Sequence, residues 1–275
     1  KYMSSILKCP VCDMRLVQDG SQYGCENGHH FDVSKEGYIN LLLSNQKKSK
    51  LPGDSAEMMQ HRRQFLQTGH YAPLAARIVA ILDEYQNQSE TETVLDCGCG
   101  EGYYTEIIRH GLHDDTDFYG LDISKAAVRY AAKRYDEINF VVGSVNRLPV
   151  LDSSVSCVLS IFAPRPLDEF RRVMQQKGLL VIVSPADGHL LQLREMIYDE
   201  IRPYRPDTPE DIETYFMQVH QETIAYQMHL ETSQTIEHLL KMTPFYWSMP
   251  AEKQKTLLQQ DNLLVDVAFS VTVFQ

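Results

Sequence analysis

The feature that most constrains this chain is the stretch from residue 93 to residue 104, Thr-Val-Leu-Asp-Cys-Gly-Cys-Gly-Glu-Gly-Tyr-Tyr. Val94 and Leu95 favour a strand, glycines then alternate at three positions, and the following residues have the apolar spacing of a helix. Glycine tolerates a positive φ and lets a ligand approach bare backbone, and the first N–H groups of a helix have no partner within it. The stretch therefore predicts a strand, a tight turn and a helix that together hold a ligand.

An acidic residue stands at the distance that a ligand with a ribose would require. The apolar run 118–121 predicts a second strand, and Asp122 ends it, 20 residues after Gly102 (122 − 102 = 20). A carboxylate at the tip of this strand can accept hydrogen bonds from both ribose hydroxyls. Ser124 is then the predicted N-cap of an alanine-rich helix. The alternative, a glycine turn and a surface acid in an ordinary α/β domain, is the weaker interpretation because the spacing is met.

The glycine spacing differs from the usual dinucleotide fingerprint G-x-G-x-x-G. In this chain it is Asp96-x-Gly98-x-Gly100-x-Gly102, which resembles the first motif of class I S-adenosylmethionine (SAM) methyltransferases. The resemblance implies that the loop passes beside the methionine part of the cofactor.

The rest of the chain alternates strand patterns with helical ones. Strands are predicted at 138–142, 155–162 and 178–184, and the second is almost continuously apolar, as in a buried parallel sheet. Two further β segments, 223–230 and 263–274, lie on either side of a helical stretch. The alternation predicts an α/β fold with a doubly wound, mostly parallel sheet. The resemblance to class I methyltransferases implies that the last segments add an antiparallel C-terminal strand.

A second ligand-binding pattern precedes the glycine loop. Cys9 and Cys12 form a Cys-x-x-Cys pair that places two thiols on one tight turn. Cys25 and His29 can close a tetrahedral metal site from a second turn, although spacing alone does not separate His29 from His30. A polar segment between the two turns predicts a hairpin, so a small N-terminal zinc ribbon is expected. A redox Cys-x-x-Cys pair is the alternative, but the βαβ context of that motif is absent.

Charge restricts the partners of the chain. The net charge of −11 over 275 residues is unusual for a nucleic-acid-binding protein. The charge is uneven, since residues 1–78 carry ten Lys/Arg and seven Asp/Glu (+3), and residues 79–275 carry sixteen and thirty (−14). Contacts with a polyanion are therefore expected in the N-terminal part, where the candidates are Lys47, Lys48, Lys50, Arg62 and Arg63, with a solvated surface as the alternative.

The cysteines, the apolar runs and the first residues indicate where the protein is located. The six cysteines are arranged locally rather than as a disulfide framework, which predicts a reducing, cytoplasmic location. The sequence has no uncharged apolar run of about 18 residues, so no membrane partner is expected. Its first residues show no signal-peptide pattern.

Several separated segments together resemble one family, the bacterial 23S ribosomal RNA guanine-N1 methyltransferases. They extend over nearly the whole chain and are the zinc-ligand pattern with Phe31-Asp32, Lys35–Leu42, Pro52–Met59, Arg62–Leu66, Gly69–Tyr71, Leu95–Tyr104, Gly120–Asp122, Ala131–Tyr135, and Met242–Phe245 with Trp247. The zinc pattern and Pro52–Met59 are far more specific than the glycine loop, which many methyltransferases share.

The resemblance implies transfer of a methyl group from SAM to N1 of a guanine in a hairpin loop of 23S ribosomal RNA. It implies zinc on Cys9, Cys12, Cys25 and His29, which favours His29 over His30. It also implies SAM contacts from Tyr71, the Gly100-Glu101 turn and His189. Together with the motif residues, the predicted cofactor site consists of Tyr71, Asp96, Gly98, Gly100, Glu101, Gly102, Asp122 and His189.

The expected organisation has three parts: a zinc-ribbon RNA-recognition domain at 1–45, a linker and connecting helix at 46–70, and a SAM-dependent methyltransferase domain at 71–275. Two other functions stay open, a SAM enzyme acting on a small molecule and a non-enzymatic zinc-ribbon RNA-binding module. The intact glycine loop disfavours the second, and the positive N-terminal balance favours RNA over a small molecule. The sequence does not fix the oligomeric state, and a homodimer is one option.

The chemistry expected of such an enzyme requires an accessible base. Guanine N1 lies on the Watson–Crick edge, so the enzyme must use a loop base or flip one out and stack it on aromatic groups. Phe162, Phe245, Tyr246 and Trp247 are the candidates for this wall, with core packing as the alternative. N1 must also lose its proton, and no residue pair in the sequence identifies the base, so the catalytic residue is unassigned.

Overall fold

A computed structural model describes residues 5–46, 55–86, 93–113, 115–198, 200, 201, 204, 209 and 211–275. Three of the candidates for RNA contacts, Lys47, Lys48 and Lys50, lie outside these residues. Within the described ranges, no helix has the length and apolar character that crossing a membrane requires.

The N-terminal segment forms a small three-stranded antiparallel sheet with the strands β1 (Val17–Asp19), β2 (Gln22–Gly24) and β3 (His30–Asp32). Strands β1 and β2 are the predicted hairpin, with Val17 opposite Gly24 and Asp19 opposite Gln22. Gly20 occupies the turn with a φ of 59°, a left-handed conformation that glycine adopts without steric cost.

A larger sheet lies at the centre of the molecule. Its strands are β4 (Ile39–Asn40), β5 (Thr93–Cys97), β6 (Asp117–Asp122), β7 (Asn139–Val142), β8 (Val155–Ile161), β9 (Met174–Pro185), β10 (Gln218–Leu230) and β11 (Leu263–Phe274). They are ordered β10-β11-β9-β8-β5-β6-β7-β4. Strands β4 to β9 pair in parallel, and β11 is antiparallel to both of its neighbours. This confirms the predicted doubly wound sheet with an antiparallel C-terminal strand.

Helices cover this sheet on both faces. They are α1 (Ala56–Gln67), α2 (Ala72–Gln86), α3 (Tyr103–Gly111), α4 (Lys125–Ala132), α5 (Leu167–Val173), α6 (Leu191–Ile197), α7 (Ile212–Tyr215), α8 (Ser233–Lys241), α9 (Pro244–Ser248) and α10 (Ala251–Leu258). The predicted cap of α4 is confirmed, because Ser124 Oγ accepts a hydrogen bond from the Ala127 N–H at 3.4 Å. This cap places the start of α4 directly after the tip of β6.

Strand periodicity divides the core into two layers. Val94 packs with apolar residues of α2, α3, α4, α6 and α8, whereas its neighbour Leu95 packs on the opposite face with residues of α5 and α7. Strand β8 is buried along its whole length, as the continuous apolar run predicts.

The N-terminal segment shares the second of these layers. Leu7 and Leu16 are fully buried in the same cluster as Leu95, and the N–H of Lys8 donates to the carbonyl of Pro149 at 3.0 Å. Strand β4 extends the large sheet by pairing in parallel with β7. The ribbon and the large sheet therefore share one hydrophobic core, and the division of the chain at residue 45 stays a prediction.

Candidate SAM and zinc sites

The glycine loop turns between β5 and α3 as its sequence predicts, and two of its glycines are required by its geometry. Gly98 has a φ of 89°, and a Cβ there would lie 2.5 Å from Cβ of Ala163. Gly100 has a φ of 55° and faces open space, where the nearest atom to a Cβ would be Cε of Met59 at 4.0 Å. The loop therefore offers bare backbone to a ligand at Gly100.

The two predicted acids lie on either side of this loop. Asp122 accepts hydrogen bonds from the N–H groups of Gly100 and Ser124. Asp96 is buried, and its Oδ2 accepts from the hydroxyl of Thr105 at 2.6 Å, while Oδ1 has no hydrogen-bond partner among the described residues. Burial raises the pKa of Asp96 to about 7, against the opposing effect of the Thr105 hydrogen bond. Asp122 therefore holds the loop itself, and Asp96 holds the helix that follows the loop.

A cavity of about 450 Å³ opens at the carboxyl ends of β5, β8 and β9, where ligands bind in open parallel sheets. The residues that line it are Arg62, Leu66, Tyr71, Gly98, Cys99, Gly100, Glu101, Tyr103, Tyr104, Ile161, Phe162, Pro185, His189, Leu190, Tyr204, Met242, Thr243, Pro244 and Phe245. Five predicted cofactor residues are among them: Tyr71, Gly98, Gly100, Glu101 and His189. The other three, Asp96, Gly102 and Asp122, support the loop instead of lining the cavity.

Two buried polar atoms of the cavity wall have no hydrogen-bond partner among the described residues, Oη of Tyr104 and Nδ1 of His189. Such atoms are costly unless a ligand or water meets them. Burial lowers the pKa of His189 to about 4, so its imidazole is neutral at pH 7. A SAM molecule fits this wall, because the unpartnered groups can bond to it and the aromatic faces attract its sulfonium.

The acidic residue of the cavity lining is Glu101. Burial raises its pKa to about 7, and the positive charges of Arg63, Arg62 and Arg134 act in the opposite direction. This part of the cavity therefore lies within the electrostatic reach of three arginines.

The structure divides the four aromatic candidates for the guanine wall. Phe162 and Phe245 line the cavity, whereas Tyr246 is only 6% exposed and packs in the core. Trp247 is exposed, and its indole N–H donates to the Lys241 carbonyl at 3.0 Å. Of the four candidates, Phe162 and Phe245 are therefore the two that line the cavity.

Phe162 has an unusual conformation for its position. Its φ is 55°, a left-handed value that costs a non-glycine residue about 1–2 kcal/mol, and its side chain remains 41% exposed. Its ring centroid lies 6.1 Å from that of Tyr104 and 5.7 Å from that of Phe269. Backbone strain that presents an exposed aromatic ring to a cavity is typical of a functional site.

The predicted metal ligands come together at the other end of the chain. The ligand atoms of Cys9, Cys12, Cys25 and His29 all lie within 4.8 Å of one another, and His30 is outside this group. Sγ of Cys12 lies 3.6 Å from Sγ of Cys25, which lies 3.4 Å from Nδ1 of His29. A tetrahedral zinc with bonds of about 2.3 Å to sulfur and about 2.0 Å to nitrogen separates its ligand atoms by about 3.5–3.8 Å. Three thiols and one imidazole at these distances fit zinc.

Several cavity residues have no local sequence signal. Tyr204 and the segment Met242–Phe245 reach the cavity from parts of the chain remote from the glycine loop. Nη2 of Arg62 in α1 lies at hydrogen-bond distance, 3.5 Å, from the carbonyl of Met242. The match of Met242–Phe245 to the family pattern is the one signal that singles out this segment from the sequence.

Comparison with known proteins supports this geometry. A family model described as "RlmA, N-terminal", a zinc ribbon, matches residues 7–50, and one described as "Methyltransferase domain" matches residues 88–243. The 23S rRNA (guanine(748)-N(1))-methyltransferase of Streptomyces fradiae is 30% identical over 275 residues, which covers 99% of this chain and 96% of that protein.

Two further similarities agree. A Bacillus subtilis protein provisionally named a 23S rRNA (guanine-N(1)-)-methyltransferase is 29% identical over 272 residues, covering 96% of this chain and 95% of that protein. The structure of a provisionally named methyltransferase from an antibiotic biosynthesis pathway of Anabaena variabilis shares the fold, with a TM-score of 0.52, 13% identity and coverage of 72% of this chain and 96% of that chain. The chain therefore belongs to the family of SAM-dependent 23S rRNA (guanine-N1)-methyltransferases.

Proposed function

We propose that this protein transfers a methyl group from SAM to N1 of a guanine in a hairpin loop of 23S ribosomal RNA. The observation that carries this proposal is the near full-length match to a guanine-N1 methyltransferase, which includes both the zinc ribbon and the methyltransferase part. A small-molecule methyltransferase would not require the ribbon. The described cavity, with exposed Phe162 at its wall, supports a flat aromatic substrate.

The roles of the cofactor residues follow from their positions. SAM supplies an electrophilic methyl group on a sulfonium. Gly100 would present its backbone to the cofactor, and Asp122 at the tip of β6 would accept hydrogen bonds from the ribose hydroxyls. Tyr71 and His189 would close the apolar side of the cavity. These contacts hold the methyl group in one place and exclude water from it.

The target guanine would enter beside Phe162 and Phe245. A base that is unstacked from RNA loses its stacking on the neighbouring bases. Stacking on an aromatic side chain contributes about 1–3 kcal/mol of binding free energy per base and offsets this loss. Stacking on these two rings would orient N1 toward the methyl group.

We expect RNA recognition and methyl transfer to be carried out by different parts of the chain. We infer a zinc-ribbon RNA-recognition domain at residues 1–45, a linker and connecting helix at 46–70, and a methyltransferase domain at 71–275. We also infer a cytoplasmic location, because ribosomal RNA as substrate and reduced thiols are both consistent with it. Zinc on Cys9, Cys12, Cys25 and His29 would hold the ribbon in its folded form.

An assay with purified components tests this function. The protein is incubated with labelled SAM and an unmodified transcript of 23S rRNA, and the methylated nucleoside is identified by mass spectrometry. The expected product is 1-methylguanosine, absent with the control variant Gly100→Val, whose side chain would occupy the space beside the loop. Label on another nucleoside, or equal label with the control variant, would refute the proposal.

A further inference from the structure

The surface of α4 is positively charged within an acidic part of the chain. Residues 123–135 contain Lys125, Arg129, Lys133 and Arg134 and no acid, whereas residues 79–275 as a whole carry −14 (sixteen Lys/Arg and thirty Asp/Glu). All four cations are exposed. Three of them repeat at every fourth position, a spacing that places them on one helix face and at which like charges destabilise a helix. A face of this kind is stabilised by an anionic partner.

Aromatic stacking holds Arg134 and one further arginine, Arg63, on this surface. The guanidinium carbon of Arg63, in α1, lies 4.3 Å from the ring centroid of Tyr130, and that of Arg134 lies 5.6 Å from the same centroid. Nη1 of Arg134 also donates to the Tyr130 hydroxyl at 2.9 Å. Stacking fixes the planar guanidinium groups and leaves their N–H edges for phosphate oxygens. We call the set Arg63, Lys125, Arg129, Lys133 and Arg134 the α4 strip.

The α4 strip lies close to the cavity. Arg62, the neighbour of Arg63 on α1, lines the cavity, as does Glu101. The charges of Arg63, Arg62 and Arg134 all act on the carboxylate of Glu101, which requires them to be near it. An RNA strand along the strip would therefore lie close to the cavity that its base must enter.

The other end of the strip is connected to the N-terminal segment. Nε of Arg129 donates to Oε1 of Glu36 at 2.9 Å, and Glu36 follows directly after the ribbon strands. One cation of the strip is thus tied to the segment that follows the ribbon, and others act on a residue of the cavity.

We propose, on the basis of the function proposed above, that the α4 strip binds the phosphate backbone of the RNA whose base enters the cavity. Net charge alone predicted that polyanion contacts concentrate in residues 1–78. That sum averages over all surfaces of residues 79–275, so it does not reveal the positive surface of α4. Arginine forks with aromatic supports and lysines at helical spacing are suited to consecutive phosphates. The strip would position the RNA, and the ribbon and cavity would select it.

A charge-matched pair of variants tests this proposal. The strip variant carries Lys125→Gln, Lys133→Gln and Arg134→Gln. The control variant carries Arg171→Gln, Lys177→Gln and Lys255→Gln, three exposed cations outside the strip. Affinity for an unmodified 23S rRNA transcript is measured across a salt series, together with SAM affinity and the thermal midpoint.

The strip variant is expected to bind RNA about tenfold more weakly at 0.1 M salt and to flatten the log–log salt slope by about two units, because each lost phosphate contact removes about 0.7–0.9. Its SAM affinity should match that of the control variant, and its thermal midpoint should be no lower, because removal of Lys125 and Lys133 relieves the repulsion between like charges along α4. If the two variants show equal RNA affinity and equal salt slope, the proposal is overturned, and methylation of RNA by the wild type would show that the proposed function still stands. Binding of both variants and the wild type to phosphatidylglycerol vesicles is measured as well. If the strip variant keeps its RNA binding and loses only vesicle binding, the proposal is also overturned and the strip is assigned to a membrane surface.

Discussion

The backbone N–H of Gly100 donates a hydrogen bond of 3.0 Å to Oδ2 of Asp122. Oδ1 of the same carboxylate accepts from the N–H of Ser124 at 2.7 Å. One side chain thus joins the glycine loop to the start of α4, two motifs that lie 20 residues apart between Gly102 and Asp122 (122 − 102 = 20). A carboxylate has about four lone-pair sites, so these bonds are compatible with ribose hydroxyls as further donors.

Replacement of Asp122 is expected to affect the cofactor more than the fold. Asp122→Ala should weaken SAM binding by on the order of 1–3 kcal/mol, because hydroxyl and amide donors lose their acceptor. The carboxylate is at a strand tip and only half-buried, so the protein should stay folded. Calorimetry with Asp117→Ala, at the other end of β6, provides the control. Wild-type SAM affinity for Asp122→Ala would rule out the ribose role.

The ribbon is expected to bind about one zinc ion per chain. Cys12→Ser and His29→Ala should lose this metal, and His30→Ala should keep it, since His30 lies outside the ligand group. Metal analysis of the purified variants checks the difference between the two adjacent histidines. SAM binding by Cys12→Ser reports whether the catalytic part stays folded. Unchanged zinc content in Cys12→Ser or His29→Ala would contradict the ligand assignment.

The local parts of both sites could be predicted from the sequence, because short spacings determine their geometry. Cys9-x-x-Cys12 and the alternating glycines each act over a few residues, and Asp122 follows from the length of one βα unit. The pairing of β4 with the edge of the large sheet could not be predicted from a local pattern, because β4 consists of only two residues. The same holds for Tyr204 and Met242–Phe245, which tertiary packing brings to the cavity.

The positively charged surface of α4 could not be predicted from the net charge of half the chain. Net charge averages over all surfaces, whereas phosphate binding depends on one face of one helix. The stacking of Arg63 on Tyr130 joins residues from α1 and α4 and can be seen only in the folded molecule.

Asp96 is expected to make stability depend on pH. Burial raises its folded-state pKa to about 7, above its ordinary value of 3.8. Its favourable contribution is therefore complete below about pH 4 and is lost as the pH rises through about 7. Asp96→Asn mimics the protonated acid, so the difference in unfolding free energy, wild type minus variant, should fall by on the order of 1–4 kcal/mol between pH 4 and pH 8.

Urea unfolding of the cofactor-free proteins at these two pH values measures that difference. Groups common to both proteins, such as His189 with its lowered pKa, cancel in the subtraction. The same difference at both pH values would show that Asp96 has an ordinary pKa.

Phe162 is expected to matter for the transfer step. Phe162→Ala removes the exposed ring from the cavity wall, and loss of stacking of about 1–3 kcal/mol per base should lower the rate of RNA methylation at saturating SAM by about tenfold or more. Trp247→Ala is the matched control, because Trp247 is 42% exposed and Phe162 41%, but only Phe162 lines the cavity. Equal rates for the two variants would remove Phe162 from the guanine wall.

The activity of this protein in cells is tested by a map of 23S rRNA methylation with and without its gene. Primer extension detects the modification, since a methyl group on N1 blocks Watson–Crick pairing, and mass spectrometry of the RNA fragment identifies the base. We expect that one guanine of a 23S rRNA hairpin loses its N1-methyl group in the deletion strain and regains it with the wild-type gene, but not with Gly100→Val. Identical methylation maps for the deletion and wild-type strains would contradict it.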